Sequence, residues 1–493
     1  MIRMSLLAGL LVIPSATNAQ PPDTLWTSSF GGDHTDLSAS VLQTPDGSFV
    51  FAGSTDSNGT TSLDAWLVKV DSAGDLVWSS VFGGSGDEAA YSVQETSDGG
   101  FIMAGYTTSY GSGGYDSWLV KTDAGGAYQW DATFGGAGLD LGYTVTQLPD
   151  GGYALAGYTA SSGAGGYDIH LVRTDASGGL IWEEFYGGSQ DDIAYSLAHT
   201  ADGGYIITGY TSSQGPGPYN LWLLKTDSTG TMEWDKVLGG SEGEIGREVR
   251  QTADGGYIIT GYTGTWGAGS SDLWLVRTDN AGTVIWDSYF GGTQWDEGLS
   301  VVETWDGGFA VTGYTDTDGP VTAIGYDLWI LKTDSAGIEE WEIILDNGND
   351  SYGQALAQTS DNGYIVAGYS WMEASGADDF DVWLIRLDAE TGIGGGEIPP
   401  SYGPVIGSVF PNPSTGTFFI QCTPGESGEL EASVYGIAGL LVTPLTPDQL
   451  PSTAGHFVWD GRDAAGGIVP SGVYLIRISD GYYACTARMV LAR

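Results

Sequence analysis

Tyr91-Ser-Val-Gln-Glu-Thr-Ser-Asp-Gly-Gly100, continued by Phe101-Ile-Met-Ala-Gly-Tyr-Thr107, reads as a strand, a tight Asp-Gly turn and a second strand. After a Gly/Ser loop, Asp116-Ser-Trp-Leu-Val-Lys-Thr-Asp123 is a third strand, and Tyr128-Gln-Trp-Asp-Ala-Thr-Phe134 is a fourth. Short apolar, β-branched and aromatic runs punctuated by Gly and Asp carry this reading. The unit recurs. Its turn aspartate stands at Asp46, Asp98, Asp150, Asp202, Asp254, Asp306 and Asp361, in five steps of 52 residues and one of 55. Twenty residues before each stands Trp26, Trp78, Trp130, Trp182, Trp234, Trp286 or Trp341. A second aromatic column is Trp66, Trp118, His170, Trp222, Trp274, Trp329 and Trp383. Both columns are expected in the core, with His170 as a core substitute.

Four strands in roughly 40–50 residues is the size of a propeller blade. The expected fold is therefore all-β: a seven-bladed β-propeller over residues 20–390. An open β-solenoid is the alternative architecture. The repeat begins with the Trp26 strand alone and ends at Trp383-Leu-Ile-Arg-Leu-Asp388. The strand around Trp26 is thus predicted to be the outer strand of the last blade, which removes an open sheet edge.

Composition limits the function. The 493 residues carry 15 Lys+Arg against 62 Asp+Glu, a net charge of −47, with 80 Gly and 18 Trp. Gly is about twice its usual share of roughly 7%. At 41% hydrophobic residues the chain can bury a large core, unlike a disordered acidic tail. Nucleic acid is excluded as a partner class, because phosphate binding needs a basic face. Most of the acidity belongs to turns, where Asp bonds nearby backbone amides. Seven of the basic residues are repeat positions: Lys69, Lys121, Arg173, Lys225, Arg277, Lys332 and Arg386. Each stands between two acids in sequence and reads as a structural ion pair.

Residues 1–19 read as a signal peptide: Arg3, an apolar run from Leu6 to Ile13, and a small-residue site at Thr17-Asn18-Ala19. No later stretch is long enough to span a membrane. Export makes a disulfide permissible. Cys422 and Cys485 are the two cysteines, and their spacing leaves a bond and two buried thiols equally open. Residues 391–404 are Gly/Pro-rich and read as a linker.

The order Asp98-Gly-Gly, Gly105-Tyr-Thr, Trp118, Trp130 resembles kelch-type propellers, with Gly105-Tyr where a Gly-Gly pair is usual. Leu387-Asp-Ala-Glu-Thr-Gly392 is similar to the quinoprotein propeller repeat, though no adjacent cysteine pair is present. That likeness implies the fold and not the cofactor. Residues 405–493 do not repeat. Phe410-Pro-Asn-Pro413, Val434-Tyr-Gly-Ile-Ala-Gly439, Trp459-Asp-Gly-Arg-Asp463, Pro470-Ser-Gly-Val-Tyr474 and a final strand Ala487-Arg-Met-Val-Leu-Ala-Arg493 resemble FlgD-like immunoglobulin-like modules and type IX secretion C-terminal sorting domains. The resemblance implies an Ig-like β-sandwich that engages secretion machinery, and an extracellular or outer-membrane-surface location.

No Ser/His/Asp set, metal-spaced Cys/His pair or phosphate-binding Gly motif emerges. Carboxylates repeat in every blade, whereas catalytic groups should be singular. If the Asp98 and Asp123 turns share one face, the loops after Thr107 and Phe134 share the other, which carries the variable sequence. Its candidate ligand-binding aromatics are Tyr110, Tyr219, Trp266, Trp295, Trp371 and Phe380, residues suited to sugar stacking or protein hot spots. Tyr115 and Tyr167 read as repeat packing. Asp36, Glu88, Asp140, Asp192, Glu244 and Asp296 form a column at the start of the inner strand. They are either a ring of acids at the channel mouth, open to a cation, or caps for backbone amides. Asp56-Ser-Asn-Gly59 and Asp316-Thr-Asp-Gly319 resemble fragments of calcium loops without the remaining ligands, and no cofactor is expected. The expected function is a secreted, non-enzymatic binding or scaffold protein that takes a glycan or extracellular protein on its variable face. The alternatives are an extracellular carbohydrate-active hydrolase or lyase, and a structural envelope or adhesion component.

Overall fold

The computed structural model describes residues 20–57, 62–316, 325–346, 348–371, 379–390, 405–410, 418–423, 431–436, 441–445, 455–479 and 484–491. The proposed leader at 1–19 and linker at 391–404 lie outside them. So do Asn58 to Gly59, Thr317 to Gly319, most of the Phe410-Pro-Asn-Pro413 motif and the side chains of Cys422 and Cys485. The chain divides into two compact units, Met1–Ile393 and Gly394–Arg493.

The first unit is a seven-bladed β-propeller. One blade is an antiparallel sheet of Asp36–Gln43, Phe49–Thr55, Asp64–Val70 and Leu76–Phe82, in that order. Five more blades repeat the order, beginning at Glu88, Asp140, Asp192, Glu244 and Asp296. The seventh takes Ser351–Gln358, Tyr364–Trp371 and Phe380–Leu387 from the end of the repeat and Thr24–Phe30 from its beginning. Trp26 pairs with Arg386 and Phe30 with Val382, so the N-terminal strand closes the ring as the phase of the repeat requires. Each blade's first strand touches the first strand of the next, and Ser351–Gln358 touches Asp36–Gln43. Two bonds tie that last junction: Ser38 Oγ donates to Gly368 O (2.7 Å), and Ser360 N donates to Gln43 Oε1 (2.8 Å).

Hydrophobic cores lie between successive blades. The second and third strands are buried along nearly their whole length, which suits runs such as Phe101-Ile-Met-Ala and Leu119-Val. The second aromatic column is core as expected. Its indoles are anchored by outer-strand groups, Trp118 Nε1 to Asp131 (2.9 Å) and Trp222 Nε1 to Asp235 (2.9 Å). His170 fills the same role: it is buried, stacks on Phe185 at 4.9 Å and meets Glu183 through Nε2 at 2.9 Å. The first column differs from expectation. Only Trp341 is buried, and the others are half-exposed on outer strands. Each lies against the glycine turn of the next blade, where a Cβ on Gly126 would stand 2.6 Å from the Trp78 ring.

The ion pairs expected of the repeat cations form in every blade. Each repeat cation pairs with the hairpin acid and not with the acid after the third strand, as Lys69–Asp46 (2.8 Å) and Lys121–Asp98 (3.1 Å) show. The acid after the third strand instead accepts the amides of its own turn: Asp123 Oδ1 takes Gly125 N and Ala127 N, both at 2.9 Å. The hairpin demands a left-handed residue. Gly99 has φ 80°, and the last copy supplies Asn362 at φ 67°, the non-Gly type best suited to that conformation.

In the second unit, Val405–Phe410, Phe418–Thr423 and Gly455–Trp459 form one sheet. Leu441–Leu445, Glu431–Gly436, Gly472–Ser479 and Ala484–Leu491 form another, in that order. Phe418, Val434, Trp459, Tyr474, Ile476 and Leu491 make a shared core between them. No helix among the described residues is long and apolar enough to cross a membrane.

Candidate functional site

The face carrying the variable loops is knitted together by backbone bonds, such as Asp140 N to Tyr115 O (2.9 Å) and Thr108 N to Asp87 O (2.9 Å). The acid column lies here, buried. Each carboxylate accepts the amide four residues earlier, as in Gly32 N to Asp36 (2.9 Å) and Gly188 N to Asp192 (2.7 Å). Each also takes a hydroxyl from the end of the second strand or the loop after it, such as Thr107 on Glu88 (2.8 Å), Ser57 on Asp36 (2.6 Å) or Ser213 on Asp192 (2.7 Å). In the last copy Ser351 Oγ meets Ser370 Oγ at 2.9 Å instead. These are capping geometries.

A second acid from the preceding blade approaches five of the six caps, and Asn220 takes its place beside Glu244. A Cβ on Gly187 would lie 1.9 Å from Asp168 Oδ1 and 2.9 Å from Asp192 Oδ2, so only glycine fits between them. Burial, with like charge nearby, raises Asp116, Asp168 and Asp296, takes Asp381 to about 6 and takes Asp327 to about 7. At these carboxyls the folded state binds more protons than the unfolded chain between about pH 7 and 4, so their contribution to stability rises as pH falls through that window and outnumbers the opposing one of His170 and His199, which burial lowers. Asp98 and Asp202 act oppositely. Although burial raises them, bonds from Thr96 and Thr200 and from Lys121 and Lys225 hold them at about 2, so their stabilisation is lost below about pH 4. Thermal melts should accordingly give a higher Tm at pH 4.5 than at pH 8, by several degrees, with a fall below pH 4. A Tm that declines steadily from pH 8 to 4.5 contradicts this.

The structure separates the six candidate aromatics into two places. Tyr219, Trp295, Trp371 and Phe380 join an aromatic wall around the axis. A β-bulge in each innermost strand, for example between Ala90 and Ser92, leaves one residue outside the ladder. Those residues are Ala39, Tyr91, Tyr143, Tyr195, Arg247, Leu299 and Gln354. Rings from successive blades meet there: Tyr91 and Tyr143 stack at 4.9 Å, and Tyr143 and Tyr195 meet edge-on at 5.0 Å. Tyr106, Tyr158, Tyr262, Tyr314 and Tyr369 stand behind them on the second strands. Tyr219 OH reaches Tyr262 OH (3.0 Å), Trp295 packs on Tyr262 (5.4 Å), and Phe380 links Tyr369 (5.3 Å) to Trp371 (5.5 Å). Burial pushes Tyr106, Tyr158 and Tyr369 up to about 12, so these walls stay neutral.

One charged pair interrupts the wall. Arg247 Nε donates to Glu297 Oε1, Tyr314 OH donates to Glu297 Oε2 (2.5 Å), and the guanidinium lies 4.6 Å over the Tyr195 ring. Sequence reading passed over both residues. The signal was present as departure from the repeat: Arg247 stands in the column of Tyr91, Tyr143 and Tyr195, and Glu297 in that of Leu37, Ala89, Leu141, Ile193 and Ile245.

Tyr110 and Trp266 lie elsewhere, on the flanks of the second and fifth blades. Tyr110, Trp118, Tyr128, Asp131, Val81 and Phe82 line a cleft of about 570 Å³. Tyr110 is 45% and Tyr128 56% exposed, and Tyr110 OH donates to Gly83 O (3.0 Å) at its edge. Asp131 accepts Tyr128 OH (2.6 Å) and Trp118 Nε1 (2.9 Å). The fifth blade repeats this chemistry. Trp266 packs on Trp274 (5.6 Å) and Tyr289 (6.1 Å), while Asp287 accepts Trp274 Nε1 (3.2 Å) and Tyr289 OH.

The one three-carboxylate group close enough to hold a metal among the described residues is Asp306, Glu340 and Glu390. The Lys332 ammonium already meets Asp306 (2.8 Å) and Glu340 (2.7 Å) there.

No protein-family profile matches the chain, and no curated protein matches it in sequence. Among solved structures, a copper-bound fungal alcohol oxidase of the AA5 family aligns with a TM-score of 0.51 at 14% identity, over 96% of this chain and 100% of that one. A bifunctional GH43-CE protein of Bacteroides eggerthii gives 0.30 at 12% identity, over 96% of this chain and 55% of that one. A β-1,2-mannobiose phosphorylase of Listeria innocua gives 0.26 at 8% identity, over 76% and 96%. The first likeness shows the fold alone, and the lower-scoring two carry no argument.

Proposed function

We propose that this protein is a non-catalytic carbohydrate-binding propeller, exported through residues 1–19 and held at or released from the cell surface through residues 405–493. The supporting observation is the flank cleft of the second blade. Exposed aromatic faces suit the apolar CH face of a sugar ring. Asp131, held between Tyr128 OH and Trp118 Nε1, is placed to accept sugar hydroxyls, and about 570 Å³ suits a ligand of one or two sugar rings. The Trp266 cluster supplies the same combination on the fifth blade. Two such aromatic–carboxylate clusters on separate flanks suit a polysaccharide, because simultaneous engagement raises avidity without new contacts.

The test is binding of the exported chain to a panel of neutral polysaccharides and oligosaccharides. Tyr110→Ala and Trp266→Ala should each weaken polysaccharide binding severalfold, and the double variant by about 100-fold or more as avidity is lost. Short oligosaccharides should respond to each single variant at one cleft only. Binding by the wild type that the double variant keeps undiminished rejects these clefts. No sugar bound by the folded protein rejects the reading.

A further inference from the structure

The axial funnel combines features the flank clefts lack. Its wall is divided into two kinds of surface. Tyr91, Tyr143 and Tyr195 form a continuous aromatic band, with ring separations of 4.9 and 5.0 Å. Arg247, Leu299, Gln354 and Ala39 complete the circle without a ring among them, and Arg247 and Gln354 are its polar groups. Arg247 is also singular among the cations. The seven repeat cations are locked on hairpin acids at the opposite face. Of the others in the propeller, Lys236 covers Trp234 and Arg250 pairs with Glu248. Among the described residues, only Arg247 brings a cation into the funnel. Glu297, 2% exposed, takes its Nε from behind, and the Arg247 side chain is 28% exposed. A guanidinium held at one edge and flanked by an aromatic face is oriented for planar recognition of a carboxylate, which a lysine would meet only as a point charge.

We infer that the funnel is a second binding site, separate from the flank clefts, that takes a uronic acid unit. Its carboxylate meets Arg247, its ring packs along the axial edges of the Tyr91–Tyr143–Tyr195 band, whose faces are taken up by one another and by the guanidinium, and its hydroxyls face the Gln354 amide. The buried Glu297 serves as a positioning residue that holds the guanidinium in orientation. It neutralises Arg247 when the funnel is empty, so an acidic ligand is recognised by geometry more than by long-range attraction to a protein of net charge −47. The choice of a sugar rests on the carbohydrate reading above.

The repeat itself supplies the test variant. Arg247→Tyr with Glu297→Leu restores what other blades carry at both positions, and leaves no buried charge unpaired. The probes are oligogalacturonates and oligosaccharides of neutral galactose of the same length, titrated calorimetrically into the full exported chain. The wild type should bind the acidic series at least tenfold tighter than the neutral one, as a charge-assisted bidentate contact requires. The double variant should melt within a few degrees of wild type and lose that preference, while keeping neutral-sugar binding at the flanks. Neutral binding without an acidic preference in the wild type overturns this inference and leaves the carbohydrate reading standing. So does a preference that survives in the double variant. A preference that moves to a peptide with a free carboxyl terminus, with sugars ignored, overturns both.

Discussion

A chain that begins at Gly32 will fail to close its seventh blade. Removing residues 20–31 strips Thr24–Phe30 from Phe380–Leu387 and exposes a row of unpaired backbone groups on that strand. It also empties part of the junction between the last and first blades. Phe30 packs there with Phe51, Trp66, Val382 and Leu384, at 5.5 Å from the Phe51 ring. Losing a buried Phe alone costs about 3–5 kcal/mol, and the lost strand pairing adds to it. The truncated chain is expected to melt far below the full-length protein, to be cut first by protease within residues 351–388, and to aggregate through the exposed edge. Phe30→Ala should reproduce the packing part of the loss without opening the edge. A truncated chain with the same Tm and protease resistance would show that the ring does not depend on this closure.

The second large effect is expected at Lys332. Seven blades carry a cation at this position, but its surroundings differ. Lys69 is 14% exposed and meets one turn aspartate, whereas Lys332 is fully buried and meets both Asp306 and Glu340. Glu390 lies in the same group, held by Tyr364 OH. Lys332→Ala leaves these acids facing one another across a partly buried space. Removing one side of a fully buried ion pair costs about 3–5 kcal/mol; with Asp306 50% and Glu340 29% exposed, water screens part of the repulsion, so the loss should fall below that range but well above that of an exposed pair. Lys69→Ala, at the equivalent turn of the first blade, should cost about 1 kcal/mol or less, as an exposed pair does. Chemical denaturation of the two variants gives the comparison, and equal losses would refute it. Acidification to pH 4.5 should recover part of the Lys332→Ala loss, since burial already raises Glu390 and protonation removes the repulsion.

The period, the number of blades and the closing strand were all legible in the amino-acid sequence. A 52-residue repeat of Trp, Asp-Gly and Trp leaves little freedom, because each sheet is apolar on both faces and must bury them against the blades on either side. The role of His170 was legible for the same reason: it occupies an indole's position and keeps the indole's bond to an outer-strand acid. The place of Trp459 in the core of the second unit was also legible.

The sites were legible only in part. Repetition identified the scaffold, and departure from repetition pointed at Trp266 and Trp371, while the same signal at Arg247 and Glu297 was passed over. What repetition did not convey was direction. The bulge in each innermost strand turns one residue of eight toward the axis, and bulges have no fixed sequence signal. That turn places Tyr91, Tyr143, Tyr195 and Arg247, spaced 52 residues apart, in ring contact. The same lack of direction let Tyr110 and Trp266 be grouped with Trp295 and Trp371 on one loop face. In space, Tyr110 and Trp266 fold outward over Trp118 and Trp274, while Trp295 and Trp371 join the axial wall. The amino-acid sequence determined the ring through local period and burial. Only the closed ring decided which residues meet, because their contacts depend on successive blades being brought side by side around the axis.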